Sequence, residues 1–158
     1  MTEPLTESRS GPIVVVDDQP VVLDFCRTTL ERAGYKVFTA SNGEQALSLF
    51  EPNRSPVDLA LIDIVMPGMS GIELAKRLEG LNLSVRIVLM SGYAPDDVKR
   101  VIGEHAANYR SMWKPFEARA LVQMIKNALD GDPPKRVFVE AGRAGRKLTK
   151  SSAARSKR

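Results

Sequence analysis

Short apolar runs alternate with longer amphipathic stretches from residue 12 to residue 130. Continuous apolar runs of this length are typical of strands that are buried on both faces, as in parallel sheets. The runs predict five strands, at residues 12–16, 35–40, 57–62, 85–90 and 107–113. The other stretches predict five helices, at residues 20–33, 42–50, 72–78, 95–103 and 117–129. The fifth strand is the weakest because polar residues interrupt it, and the last helix has the clearest apolar face.

Strands that alternate with helices predict parallel pairing and right-handed crossovers. We therefore expect an α/β fold of the flavodoxin-like type, a doubly wound sheet in three layers with the strand order 2-1-3-4-5. A closed barrel would need eight strand–helix units, more than this chain provides. The expected order places the switch point of the sheet beside the first and third strands, where ligands bind.

Polar side chains stand where the apolar runs stop. Asp17 and Asp18 follow the first run, and Asp63 follows the third. Ser91 follows the fourth run and Lys114 follows the fifth. Because the carboxyl ends of parallel strands share one edge of a sheet, we expect these five side chains to converge there.

Three carboxylates in one place repel one another unless they take up protons or bind a cation. Mg²⁺ prefers oxygen ligands, and it typically combines one or two carboxylates with water and phosphate oxygens. We therefore predict that Asp18 and Asp63 bind Mg²⁺ directly, with Mn²⁺ as an alternative ion. Asp17 would act through water, and the backbone carbonyl of Val65 would complete the protein's share of the ligands. The competing interpretation of the adjacent pair Asp17 and Asp18 is a simple cap for the following helix.

Asp63 is the candidate nucleophile, since a carboxylate can accept a phosphoryl group to give an aspartyl-phosphate. The cation would neutralise charge on the transferred oxygens. Lys114 would pair with Asp63 at rest and with the phosphate afterwards, and Ser91 would donate a hydrogen bond to a phosphoryl oxygen. Their plainer alternatives are a surface lysine at a strand end and an ordinary turn serine.

Four segments of the chain resemble the receiver domain of two-component response regulators, over roughly residues 12 to 130. They are residues 14–18 (VVVDD), 63–71 (DIVMPGMSG), 90–93 (MSGY) and 113–116 (WKPF). The resemblance implies a fold like that of the chemotaxis receiver. It also implies phosphoryl transfer to the aspartate of the second segment from a histidine kinase or a phosphotransfer protein.

The resemblance also assigns the site residues. It implies that Asp17, Asp18, Asp63 and the Val65 carbonyl hold Mg²⁺. It further implies that the hydroxyl of the third segment and the lysine of the fourth bind the phosphoryl oxygens, and that the peptide bond between Lys114 and Pro115 is cis.

Some positions depart from the family pattern. Ser111 stands where many receivers carry an aromatic residue that moves with the site, although Tyr109 and Trp113 share its strand parity. One hypothesis is that Tyr109 or Trp113 reports the state of the site; the alternative is that Trp113 only packs under the last helix. Val65 and Tyr93 lie two residues after Asp63 and Ser91 and cannot orient water as an amide would, so slow hydrolysis of the aspartyl-phosphate is predicted.

The main functional hypothesis is a stand-alone receiver, a phosphoacceptor signalling domain and not an enzyme, whose output surface covers residues 98–102, 111–113 and 119–126. Its downstream protein partner is not named by the sequence, and homodimerisation through that surface is an open alternative. A Mg²⁺-dependent phosphohydrolase is the second hypothesis, but such enzymes usually carry a second acid where this chain has Val65. The third is a binding module with a degenerate site.

The chain has 158 residues and one cysteine, Cys26, which fits one domain in a reducing compartment. The polar residues 1–11 lack the apolar centre of a secretion signal, and no run approaches the roughly 20 apolar residues of a membrane span. We therefore expect a soluble, cytoplasmic protein with a flexible N-terminus at residues 1–11 and a receiver domain at residues 12–130.

Charge is unevenly distributed along the chain. Residues 131–158 contain nine Lys and Arg residues and two acidic residues, a net charge of +7, which leaves −3 of the total of +4 for residues 1–130. This composition predicts a flexible basic tail. It could be a solubilising segment, a docking segment for an acidic protein or an anionic membrane, or a nonspecific nucleic-acid-binding segment. No nucleic-acid-binding motif accompanies the charge, so we expect at most salt-sensitive, nonspecific binding to nucleic acid.

Overall fold

The computed structural model describes residues 11–51, 56–81, 84–92, 100 and 109–131. Their centre is a five-stranded sheet in which all neighbouring strands pair in parallel, in the order β2-β1-β3-β4-β5. The strands are β1 (Ile13–Val16), β2 (Val37–Ala40), β3 (Leu59–Asp63), β4 (Arg86–Ser91) and β5 (Arg110–Trp113). The predicted α/β class and strand order are confirmed.

Four helices lie within the described residues: α1 (Pro20–Arg32), α2 (Gly43–Ser48), α3 (Gly71–Leu81) and α4 (Ala118–Asp130). The helix predicted at residues 95–103 lies outside the described residues, apart from Arg100, which is helical. Helix α1 begins at Pro20, whose fixed φ and missing N–H suit a first helical turn. The chain turns after α1 at Gly34, whose φ of 101° favours glycine.

The sheet separates two hydrophobic clusters, because successive side chains on a strand point to opposite faces. Val14 and Val16 of β1 pack in a cluster with residues of α2 and α3, whereas Ile13 and Val15 pack with residues of α1 and α4. Every residue of β1 and β3 is buried. The three-layer arrangement is therefore confirmed, and so is burial on both faces for β1 and β3, whereas the edge strands β2 and β5 are only partly buried.

Several strand boundaries differ from the prediction by one to three residues; β3, for example, begins at Leu59 and not at residue 57. β2 begins at Val37, two residues later than expected, because the chain first leaves α1 through a turn at Ala33 and Gly34. β5 begins at Arg110 and pairs with only the last four residues of β4.

The last helix ends at the amino edge of the sheet. The Nη2 atom of Arg86, the first residue of β4, donates a hydrogen bond of 3.1 Å to the carbonyl oxygen of Gly131. Among the residues that the structure describes, no helix is long and apolar enough to cross a lipid bilayer.

Candidate functional site

Three carboxylates meet at the carboxyl edge of the sheet. Asp17 directly follows β1 and is fully buried, Asp63 ends β3 and is 6% exposed, and Asp18 is exposed. One oxygen atom of each lies within 4.8 Å of the others. Adjacent strands β1 and β3 thus bring together the acids that the sequence separates, as predicted.

Both carboxylate oxygens of Asp17 already have partners. Oδ1 accepts a hydrogen bond of 2.9 Å from the backbone N–H of Gln19, which precedes α1. Oδ2 accepts a hydrogen bond of 2.7 Å from Nζ of Lys114. Asp17 therefore both supports the start of the helix and belongs to the charged cluster, so the two interpretations of this residue are compatible.

Lys114 joins the two buried acids. Its Nζ atom lies 2.7 Å from Oδ2 of Asp17 and 3.5 Å from Oδ1 of Asp63, and its side chain is 18% exposed. Its backbone N–H donates a hydrogen bond of 2.7 Å to the carbonyl oxygen of Ser91. The peptide bond from Lys114 to Pro115 is cis, which confirms the expectation from the sequence. Lys114 is thus a partly buried ion-pair partner of two buried acids and not a freely exposed surface lysine.

Burial and neighbouring charges shift the pKa values of Asp63 and Lys114. Burial, and next the negative charge of Asp17, raise the pKa of Asp63 to about 6, against the opposing effect of Lys114. Burial alone would lower the pKa of Lys114, but its hydrogen bond to Asp17 and the charge of Asp63 outweigh burial and raise it. At neutral pH the site therefore holds a charged ammonium and a largely ionised Asp63.

Ser91 lies at the end of β4, beside β3, and is 1% exposed. Its neighbour Met90 pairs with Asp63, and Ser91 itself pairs with Trp113 in the sheet. The serine that was predicted at the site therefore lies at the same edge as the acids and the lysine.

The loop after β3 passes close to the start of α3. The backbone N–H of Gly71 donates a hydrogen bond of 2.8 Å to the carbonyl oxygen of Ile64, and a Cβ atom at Gly71 would lie only 2.1 Å from the carbonyl oxygen of Asp63. Only glycine fits this position. Sequence reasoning missed this role of Gly71, although the density of turn-forming residues before it was the available signal.

Val65 lies on this loop with its side chain 45% exposed. Val65 is two residues after Asp63, and the role of its carbonyl group as a metal ligand stays a prediction. Tyr93 lies outside the described residues.

The residues of β5 next to Lys114 bear on the aromatic hypothesis. Ser111 and Tyr109 are half-buried, and Tyr109 packs against the cluster on the side of α2 and α3. Met112 packs in the cluster with α4, whereas Trp113, the next residue on the strand, is 39% exposed. Trp113 is therefore not buried beneath the last helix.

The chain was compared with known proteins. The family model of the response regulator receiver domain matches residues 13–126. Sporulation initiation phosphotransferase F of Bacillus subtilis is 32% identical over 117 residues, which cover 74% of this chain and 92% of that protein. The alkaline phosphatase synthesis transcriptional regulatory protein PhoP of the same organism is 33% identical over 117 residues, which cover 74% of this chain and 48% of PhoP. The match thus spans about half the length of PhoP.

Solved structures agree with these relatives. A CheY-like receiver domain protein from Methanospirillum hungatei has a TM-score of 0.67 and 30% identity, with 76% of this chain and 94% of that chain covered. TrrA from Thermotoga maritima, in complex with Mg²⁺ and BeF, has a TM-score of 0.65 and 31% identity, with 75% and 98% covered. The chain therefore belongs to the response regulator receiver domain family, a family of phosphorylation-based signalling domains that interact with histidine kinases or phosphotransfer proteins.

Proposed function

We propose that this protein accepts a phosphoryl group on Asp63 from a histidine kinase or a phosphotransfer protein. The observation that carries the proposal is the convergence of Asp17, Asp18 and Asp63 with the ammonium of Lys114, which lies 3.5 Å from Asp63. A buried carboxylate beside a fixed positive charge is suited to accept a negatively charged group.

The donor set at this edge fits a small divalent cation. Each oxygen of Asp17 already accepts one hydrogen bond, from Gln19 N–H and from Lys114, which supports Asp18 and Asp63 as the direct ligands. We propose that these two acids and the Val65 carbonyl bind Mg²⁺, with Asp17 acting through water. Mn²⁺ suits the same oxygen ligands. The bound ion would neutralise charge on the phosphoryl oxygens.

In the proposed transfer, a carboxylate oxygen of Asp63 attacks the phosphorus atom of the donor. The new O–P bond forms as the bond from phosphorus to the donor nitrogen breaks, and that nitrogen keeps the electron pair. Lys114 would then pair with a phosphoryl oxygen, and the hydroxyl of Ser91 would donate a hydrogen bond to another. The ionised form of Asp63 at neutral pH supports its role as nucleophile.

We further propose that phosphorylation changes the affinity of a protein partner for one surface. It comprises residues 98–102, 111–113 and 119–126, of which 98, 99, 101 and 102 lie outside the described residues. Trp113, Arg119 and Lys126 are exposed on the described part. Typical coupling free energies of about 1–3 kcal/mol would change partner affinity about 5- to 150-fold. The same surface could support a homodimer.

The domain is proposed to span residues 12–130. The flanking segments at residues 1–11 and 131–158 lie outside the described residues, except for Gly11 and Gly131. The cytoplasmic location and the role of the basic tail stay predictions. Val65 stands where a phosphohydrolase would carry its second acid, so we propose a phosphoacceptor domain without turnover of an external substrate.

The test is incubation with a small phosphodonor and Mg²⁺, followed by intact mass. We expect an adduct of one phosphoryl group on the wild type, none on Asp63→Asn, and a much slower adduct on Asp18→Ala. Asp24→Asn is the matched control, because Asp24 is an exposed acid on α1 that lies outside the cluster. Continuous release of phosphate by turnover would favour the phosphohydrolase, and an adduct that persists in Asp63→Asn would contradict the proposed acceptor.

A further inference from the structure

Two aromatic rings link α1 to the turn that carries Lys114. The ring centroids of Phe25 on α1 and Phe116 after β5 lie 6.1 Å apart, with an angle of 49° between the ring planes. This distance lies within the range in which aromatic pairs stabilise each other beyond simple burial. Phe116 also packs against the core cluster on this face of the sheet, whereas Phe25 remains 38% exposed.

The same two elements are joined a second time at the charged cluster. Lys114 lies two residues before Phe116 and donates its hydrogen bond to Asp17, which in turn accepts one from Gln19 at the start of α1. Helix α1 and the turn after β5 are therefore connected by one polar contact and one aromatic contact. Together with the intervening backbone, these contacts form a closed ring.

Asp17 and Lys114 also influence Cys26, the residue that follows Phe25 on α1. Cys26, the neighbour of Phe25, is fully buried. Burial and the charge of Asp17 raise the pKa of its thiol to about 12, while Lys114 opposes the shift. The charges of Asp17 and Lys114 thus act on the residue that directly follows Phe25.

A lysine side chain is flexible, so the position of the Lys114 ammonium depends on a well-fixed backbone at this residue. On one side this backbone is fixed by the hydrogen bond from Lys114 N–H to the carbonyl oxygen of Ser91. On the other side only Pro115 separates Lys114 from Phe116. We propose that Phe25 is a positioning residue for phosphoryl transfer: its ring holds the turn after β5 against α1 and so keeps the Lys114 ammonium beside Asp17 and Asp63.

This inference rests on the proposed acceptor role of Asp63. The first test measures the rate of phosphorylation by a small phosphodonor at saturating Mg²⁺, since such a donor needs no protein contact with α1. Phe25→Ala should lower the rate about tenfold, because small misplacements of a catalytic group are costly. Phe25→Leu, which keeps most of the side-chain volume, should recover part of that loss and serves if the alanine variant does not fold.

Val21→Ala is the matched control. Val21 lies one turn earlier on α1, is apolar and is 77% exposed. Its substitution should leave the rate within about twofold of the wild type, as expected for an exposed side chain without a packing role. A rate for Phe25→Ala equal to that of the wild type would overturn the proposal.

The second test asks whether Phe25 acts through Lys114. In a Lys114→Ala background, Phe25→Ala should cause no further loss of rate, because the ammonium that it positions is gone. Equal losses in both backgrounds would assign Phe25 a purely structural role. Urea unfolding of the wild type, Phe25→Ala, Lys114→Ala and the double variant gives a coupling free energy between Phe25 and Lys114 that does not depend on phosphorylation. If the losses of unfolding free energy in the two single variants simply add in the double variant, the inference is overturned. Absence of any phosphoryl adduct on the wild type would overturn the proposed function instead.

Discussion

The ammonium of Lys114 lies closer to Asp17, at 2.7 Å, than to Asp63, at 3.5 Å. In this arrangement the positive charge of Lys114 offsets the charge of the fully buried Asp17 more strongly than the charge of Asp63, the proposed acceptor. Burial, and next the charge of Asp17, raise the pKa of Asp63 to about 6, and the lysine at this distance only partly counteracts them. The site is therefore poised to receive additional positive charge from a cation.

Removal of the lysine should destabilise the domain. In Lys114→Ala the buried Asp17 loses its only charged partner among the described contacts, and the free energy of unfolding should fall by about 2–4 kcal/mol. Added Mg²⁺ should restore part of this loss. Urea unfolding with and without Mg²⁺ measures both effects, with the exposed Lys76→Ala as control. A loss no larger than that of the control would contradict the importance of the pair.

The raised pKa of Asp63 predicts a pH-dependent stability. Burial raises the pKa of Asp63 from its ordinary value of 3.8 to about 6 in the folded state. The protonated carboxyl group therefore favours folding below pH 4, and this contribution is lost as the pH rises through 6. The free energy of unfolding of Asp63→Asn should therefore exceed that of the wild type by about 2–3 kcal/mol at pH 7.5 without metal. This difference should shrink toward pH 4. Urea unfolding across this range checks the sign, and Asp24→Asn should show no such trend.

Gly71 and Gly80 give a matched pair on one helix. A Cβ at Gly71 would meet the carbonyl oxygen of Asp63, whereas nothing lies within 4 Å of a Cβ at Gly80. Gly71→Ala should lower the free energy of unfolding by at least about 2 kcal/mol and weaken binding of Mg²⁺. Gly80→Ala should raise it by about 0.5–1 kcal/mol, because alanine is the better helix former. Thermal unfolding measures the change in stability of both variants. Equal changes would contradict the close approach of Gly71 to the carbonyl oxygen of Asp63.

Val65 should make the aspartyl-phosphate long-lived. Its alkyl side chain is 45% exposed on the loop after Asp63 and offers no group that could orient an attacking water molecule. Val65→Asn should accelerate hydrolysis about tenfold, which a phosphate-release assay measures after removal of the phosphodonor. A half-life of seconds for the wild type would refute this prediction.

Trp113 should report the state of the site. It is the single tryptophan of the chain, is 39% exposed, and directly precedes Lys114. Its fluorescence should change when Mg²⁺ and a phosphodonor are added, and the change should be absent in Asp63→Asn. An unchanged emission in a wild type shown by mass to be phosphorylated would exclude Trp113 as the reporter and leave Tyr109 as the candidate.

The apolar runs were sufficient to predict the sheet and the meeting point of the acids. This success has a physical reason: strands buried on both faces must be continuous apolar runs, and parallel strands end at one edge. Asp17, Asp63 and Lys114 could be placed in one cluster on that basis alone.

Finer features were not accessible from the pattern. The closer contact of Lys114 with Asp17 than with Asp63 is a difference between 2.7 and 3.5 Å that side-chain packing decides. The close approach at Gly71 depends on the exact path of the loop between β3 and α3. The contact between Phe25 and Phe116 joins elements far apart in the chain. Hydrophobic periodicity carries no information about such pairs.

The contact between Arg86 and the carbonyl oxygen of Gly131 has a practical consequence for experiments. It fixes the departure point of the following polypeptide at the amino edge of the sheet, whereas the acids occupy the opposite rim, the length of β4 away. A reporter or a surface attachment joined directly at Gly131 would therefore start at the edge of the sheet opposite the acidic rim.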